Sequence, residues 1–346
     1  MPPSISVIMP VYRCDRFLVP AITSVLIQTL EDFELIIISE HGNEEAMARI
    51  LASLNDDRIF CIQNEINLGL SPSMNVGIIN ARGRYIVKLG ADDVAVPTRL
   101  EKQAGYLDKN LSIGILGSAI RMIDLEGKEL GTQRPISGPM ALRWICTFGT
   151  PFPDPTAMIR RSVFDNVGGF DPRALHCEDF DLYARANQVT LMDTLPDLLT
   201  EYRINPGGVS ISNRDEQERC AVKIVKREIS RLLDRDVPET VPIDLRIPDF
   251  ASTPTRSEQA SKCLMELYTG FCRSNEISEV EKREICTFTS DKMWHLTVSS
   301  LANGPRGSTR LFRRALAIPA YHPISFPITL AKSYAVQISK RAGGLK

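Results

Sequence analysis

The chain has 346 residues, 43% hydrophobic and 24% charged, with a formal net charge of −1; that length suits one large domain plus an appendage, and the near-neutral balance excludes bulk attraction to nucleic acid. Its eight cysteines are scattered without a C-x-x-C pair, which argues against a zinc knuckle or a dense disulfide framework and for reduced thiols. With no basic-then-apolar leader and no apolar run of the ~20 residues a spanning helix needs, the expectation is a cytoplasmic protein that is not integral to a membrane.

"ISVIMPV" (5 to 11) is a short β-branched apolar run, the pattern of a buried strand, and "RFLVPAITSVLIQTL" (16 to 30) switches to helical spacing with Pro20 in its first turn. Further strands are predicted at 33 to 39, 58 to 64 and 85 to 90, separated by helices at 43 to 54 and 71 to 81. This alternation predicts an α/β fold with a mostly parallel central sheet flanked by helices. A helix over 97 to 110 follows, then a strand and hairpin around Glu126 and Gly127. Prolines and glycines crowd residues 135 to 155, which reads as a long loop. Beyond Asn213 the composition becomes charged and helix-forming. A domain of residues 1–213 is therefore expected, followed by a helical C-terminal region over 214–346.

In an open parallel sheet, ligands sit beyond the carboxyl ends of the strands. Three predicted strand ends carry polar groups there: Pro10, Val11 and Tyr12; Ser39 and Glu40; Asp92 and Asp93. Adjacent carboxylates repel unless a cation joins them, and a hard ion such as Mg²⁺ or Mn²⁺ removes that cost. The plainer alternative is that Asp93 caps the helix near Pro97 and Asp92 is solvated.

The segments "SVIMPVYRCDRFLVPAITSVLIQTLEDFELIIIS", "NLGLSPSMNVGIINARGRYIVKLGADD", "PTRLEKQ", "DPTAMIRRSVFDNVGGFDP", "EDFDLYAR" and "YRINPGGVS" occur in this order. Together they resemble the family-two glycosyltransferases of the GT-A fold, which move a sugar from a nucleotide donor to an acceptor; the resemblance spans residues 4 to 212. It implies that Pro10, Val11 and Tyr12 line the nucleotide pocket and that Glu40 accepts a base N–H. Asn67, Gly69 and Asn75 match a further donor-binding segment, and Asp92 matches the metal-binding acid, with Asp93 beside it. It also implies that Asp179 is the general base, with Glu178 the runner-up, in a single displacement with inversion from a UDP-sugar. A purely structural reading of that acidic pair, as residues favoured at a helix N-terminus, stays open.

The chain departs from this family at four places. Gly90 replaces the first acid of the D-x-D-D pattern, Ser39 replaces an aspartate, Met74 an arginine, and Asn205 a histidine; the Asn205 amide oxygen remains a possible hard metal ligand. The alternative to an active enzyme is a catalytically degenerate relative that binds a nucleotide sugar or a partner. Arg185 and Arg203 are candidate phosphate contacts, although a surface salt bridge is the commoner fate of an arginine.

No G-x-G-x-x-G follows the first strand and no G-x-x-x-x-G-K-[ST] occurs, which argues against a dinucleotide-dependent dehydrogenase and a P-loop enzyme. Without a Q/R-x-x-R-W segment or spanning helices, a processive synthase is not expected. The expected acceptor is a glycan or lipid-linked glycan. Basic and apolar residues mix over 308 to 341, with Arg310, Arg313, Arg314, Lys332, Lys340 and Arg341, and suggest either peripheral membrane contact or an appendage packed through its apolar face.

Overall fold

The computed structural model describes residues 2–205, 213–246, 253–302 and 308–319. The chain divides into two compact units, Met1–Cys146 with Thr150–Cys220, and Thr147–Gly149 with Ala221–Lys346.

The first unit is built on a nine-stranded sheet. Its strands are β1 (Ile5–Val11), β2 (Phe33–Ser39), β3 (Ile59–Gln63), β4 (Tyr85–Lys88), β5 (Val94–Ala95), β6 (Ile113–Ile123), β7 (Glu129–Gln133), β8 (Met158–Arg160) and β9 (Leu191–Arg203). The order is β3-β2-β1-β4-β8-β6-β9-β5, with β7 paired to β6. β3, β2, β1 and β4 run parallel. β8 is antiparallel to both β4 and β6, and β6 is parallel to β9.

Helices cover both faces, which is why every residue of β2 is buried. On one face Val7, Met9, Leu35, Ile37 and Val87 pack with Leu18, Ile22 and Val25 of α1 (Leu18–Leu26) and with Leu100, Ala104 and Leu107 of α4 (Arg99–Lys109). On the other, Ile8, Ile36, Ile38 and Ile86 pack with Met74 of α3 (Leu70–Asn80), Phe164 of α6 (Arg161–Val167), and Leu182 and Tyr183 of α7 (Glu178–Ala186). Alternation along each strand divides these two sets. α2 (Glu44–Leu54) follows β2.

Two features depart from the sequence reading. The stretch 135 to 155 contains α5 (Pro139–Ile145) and a 3₁₀ turn, Asp154–Thr156, because a proline in a first helical turn starts a helix rather than marking a loop. β9 hides in "LMDTLPDLLTEYR", where Pro196 cannot donate to a ladder. The pairing with β6 shifts register there, from Ser118↔Leu195 to Ala119↔Leu198, and so bypasses the proline.

The described part of the second unit is helical, with α8 (Arg214–Leu232) entering it from the first, then α9 (Thr240–Arg246), α10 (Pro254–Ser274), α11 (Glu279–Ala302) and α12 (Ser308–Ala317). Buried Asp244 pairs with Arg256 at 2.7 Å. Leu311, Ala315 and Ile318 on and just after α12 are buried, and Arg314 bonds Glu258 at 3.0 Å and Ser261 at 2.6 Å. Arg310, Arg313 and Leu316 remain exposed. Lys332, Lys340 and Arg341 lie outside the described residues. No described helix is long and apolar enough to cross a membrane.

Candidate active site

The C-terminal ends of the parallel strands carry the residues expected to bind a donor. Val11 is buried, Pro10 partly so, and Tyr12 stands 63% exposed beyond them. Asn43 holds this turn by donating to the Val11 and Tyr12 carbonyls at 3.4 and 3.1 Å. The Tyr12 ring is thus an open flat surface on a fixed backbone.

Glu40 is differently placed from the expectation. It is 4% exposed, and both its oxygens are engaged: one accepts the Leu68 N–H at 2.9 Å, the other the Ser73 hydroxyl. Ser73 in turn accepts from Asn64 at 3.0 Å. The carboxylate therefore closes the loop between β3 and α3 rather than facing outward. Asn67 and Gly69 lie exposed on that loop, where the Gly69 N–H donates to Asn67 Oδ1 at 3.2 Å; Gly69 has φ 81°, a conformation that side chains with a Cβ rarely adopt.

Asn75 is also committed. Its Nδ2 donates to the Phe170 carbonyl at 2.8 Å and its Oδ1 accepts the Phe170 N–H at 2.8 Å. A Cβ at Gly169 would collide with this same amide, so the glycine is required by Asn75. Met74 is a core residue, and the buried Ser39 hydroxyl has no hydrogen-bond partner among the described residues.

Asp92 and Asp93 part company. Asp92 stays partly exposed, with its pKa raised by burial and then by nearby Asp15. Asp93 is 2% exposed, and its Oδ1 accepts the Arg203 N–H at 3.0 Å. Burial, with Asp92 adding to it, pushes its pKa to about 7. Its Oδ2 lies 2.8 Å from where a Cβ on Gly90 would stand. The inward carboxyl of Asp93 thus fills the room that the missing first acid would need, and a metal-ligand role for Asp93 does not follow from this placement.

Arg203 and Arg185 are held by the fold. Arg203 donates to the Asp92 and Asp124 carbonyls at 2.9 and 2.7 Å. Arg185 pairs with Asp181 at 2.8 Å and donates to Val167 and Gly169. Asn205, partly exposed, lies two residues past the end of β9. Among the described residues no three His, Cys, Asp or Glu side chains cluster to hold a metal ion. The Asp92 carboxylate is a hard oxygen that stays partly exposed. Asp92 fits a cation, because one beside it would offset both burial and the Asp15 charge.

The other side of the mouth is more densely charged. Glu178 and Asp179 begin α7, both partly exposed. Burial, reinforced by Asp154, raises the Asp179 pKa to about 7, against Lys88, which lowers it. Lys88 and Asp154 form an ion pair with side chains 17% and 13% exposed. Asp154 also accepts the Tyr183 hydroxyl at 2.8 Å. Burial opposes the Lys88 ammonium, yet Asp154, with Asp179 and Glu178, leaves its pKa raised. Burial raises the Tyr202 pKa, and the charges of Asp93, Asp92 and Asp154 raise it further against Lys88.

Sequence reasoning passed over Lys88, Asp154 and Tyr183. A usable signal was the lone cation in "YIVKLG": an ammonium in an otherwise buried strand needs a partner. The partner comes from the proline-flanked turn "PDPT", 66 residues away.

A glycosyl transferase family 2 model matches residues 6–168. A glycosyltransferase of Haemophilus influenzae is 27% identical over 260 residues, 72% of this chain and 79% of that protein. The O-antigen biosynthesis glycosyltransferase WbnJ of Escherichia coli is 33% identical over 206 residues, 58% of this chain and 80% of that protein. Among solved structures, TarS residues 1–349 of S. aureus, in complex with UDP-GlcNAc, aligns with a TM-score of 0.56 at 17% identity, covering 96% of this chain and 92% of that one. This last likeness concerns the fold.

Proposed function

Because the chain belongs to glycosyl transferase family 2, we propose that it transfers one hexosyl group from a UDP-sugar to a glycan or lipid-linked acceptor, by direct displacement with inversion. The observation that carries this reading is Asp179: a partly exposed carboxylate at a helix start, with a pKa near neutrality, at the mouth of the sheet. Its Oδ takes the acceptor hydroxyl's proton as that oxygen forms a bond to the anomeric carbon. The sugar–phosphate bond breaks on the opposite face, and the diphosphate leaves with the electron pair. Glu178 is the neighbouring carboxylate and second candidate for the base.

On the donor side, the exposed Tyr12 ring stacks on the base, and the loop closed by Glu40 frames the nucleotide through Asn67 and Gly69. Pro10 and Val11 shape its floor, and Asn75 acts from behind by holding Phe170. Asp92, with the Asn205 amide oxygen, would hold Mn²⁺ or Mg²⁺; when bound, such an ion neutralises charge on the leaving diphosphate. Asp93 serves as the interior brace of that segment.

Turnover of a panel of nucleotide sugars, with Asp179→Asn as control, tests the reading. The loss of the first acid at Gly90 favours one alternative, a relative that binds nucleotide sugars without turnover. Nucleotide binding with no transfer or hydrolysis under any condition would establish that alternative.

A lipid-linked acceptor suits the C-terminal region, where no Asp or Glu follows Asp291 although Arg310, Arg313, Lys332 and Lys340 do. On α12, exposed Arg310, Arg313 and Leu316 can meet an anionic lipid surface. The full chain should then co-sediment with phosphatidylglycerol vesicles and not with phosphatidylcholine, and Arg310→Glu/Arg313→Glu should weaken this. Equal behaviour on both lipids would remove the membrane reading.

A further inference from the structure

The Lys88–Asp154 pair has no role in the displacement described above, yet it is built with care. Asp154 sits in a turn bounded by Pro153 and Pro155, and the turn is pinned by Gln103, which donates to the Thr156 carbonyl at 2.7 Å. One oxygen of Asp154 takes Lys88, the other Tyr183. Tyr183 is on α7 one turn after Asp179, on the same face of the helix. Its ring packs against buried Phe152 with centroids 5.1 Å apart, so Tyr183 cannot swing away from Asp154 without opening the core.

We propose that Lys88, Asp154 and Tyr183 form a positioning unit for Asp179: a cation and an anion locked together beside the first turn of α7, whose opposed charges govern when that carboxyl holds its proton. This rests on the assignment of Asp179 as the base. Charged and titratable groups facing Asp179 are Glu178 and Tyr183 from its own helix, Lys88 from β4 and Asp154 from the 3₁₀ turn. Arg99, Asp93 and Tyr202 face members of the pair in turn.

The chemistry follows from the charges. Asp154 as an anion makes ionisation of Asp179 harder, and Lys88 as a cation makes it easier. Burial already raises the Asp179 pKa; Asp154 alone would raise it further, and Lys88 alone would pull it back down. Locked together, they leave a base that is ionised near pH 7 and still basic enough to accept a proton, which is where a general base works best. Tyr183 keeps Asp154 directed at Lys88 and away from the proton of Asp179. None of the three touches the reacting atoms, so each acts through Asp179.

Direct titration tests this without any substrate. In the full chain labelled with ¹³C at the aspartate carboxyls, the resonance lost in Asp179→Asn identifies the base, and its midpoint is followed by NMR. Asp154→Asn should lower that midpoint by about 1 pH unit, Lys88→Met should raise it by about as much, and the double variant should return it toward the starting value. Tyr183→Phe should shift it least. Near-ultraviolet circular dichroism checks that each variant keeps its packing, and Asp154→Ser and Lys88→Gln, which remove the same single charges, serve if a first single variant fails to fold. An unmoved midpoint in the folded variants that remove one charge, at Asp154 or at Lys88, would overturn the proposal. Because the titration does not involve the reaction, it stays readable if Asp179 is not the base; that separate failure would show as transfer surviving in Asp179→Asn.

Discussion

The two flanks of the sheet mouth use polar side chains in opposite ways. On the proposed donor flank, Glu40, Asn75 and Asp93 are turned into the protein and satisfy backbone groups of Leu68, Phe170 and Arg203. On the proposed base flank, Asp154 binds Lys88 and Tyr183, and these charges and that of Asp179 act on each other in a poorly solvated space. The first arrangement makes a rigid frame and the second a tuned set of charges. A polar residue at a strand end is therefore not by position alone a ligand-binding residue; what decides is whether its hydrogen-bonding capacity is already taken.

The largest effect expected from this contrast is on the base flank. Asp179→Asn should lower turnover by roughly 10²- to 10⁴-fold while nucleotide binding, read by thermal shift, persists. In the unaltered protein the base must be ionised, so kcat/KM should climb with pH through about 7 and level off above it. A flat profile from pH 5 to 8 would remove Asp179 from that role.

Next is the frame. Gly90→Asp restores the missing acid but sets its Cβ 2.8 Å from Asp93 Oδ2, and should destabilise the fold by about 1–3 kcal/mol in denaturant unfolding. Unchanged stability would mean that Asp93 has room to swing outward. Glu40→Ala strands the Leu68 N–H and the Ser73 hydroxyl, at a cost of about 1–3 kcal/mol. If the variant instead keeps its stability and loses nucleotide affinity, Glu40 belongs with the ligand contacts after all.

The smallest expected effect is at Asp92. Asp92→Asn should leave stability nearly unchanged and weaken Mn²⁺-dependent binding of UDP by about tenfold, some 1.4 kcal/mol. Full retention of the Mn²⁺ dependence would point to other ligands.

Much of this architecture is legible in the chain. β1 and β2 announce themselves as apolar, β-branched runs because both faces of the sheet are covered, and Pro20 marks the first turn of α1 by its backbone chemistry. β8 and β9 escape notice: one is three residues long, and the other contains Pro196, which only the bypassed register accommodates. At the mouth, position along the chain puts Asp92 after β4 and Asp179 at the start of α7. It says nothing of rotamer or partner, so the inward turn of Asp93 and the second duty of Glu40 emerge only in three dimensions. Lys88 and Asp154 are further still from view, since each explains the other and neither belongs to a local pattern.

The pair of hydrogen bonds between the Asn75 amide and the backbone of Phe170 joins stretches 95 residues apart. It works as a rivet, binding α3 to the strip of chain that leads toward α7. Deuterium should replace the amide proton of Phe170 no faster than this seam opens, and substrates arriving on either flank would meet a chassis that does not flex there.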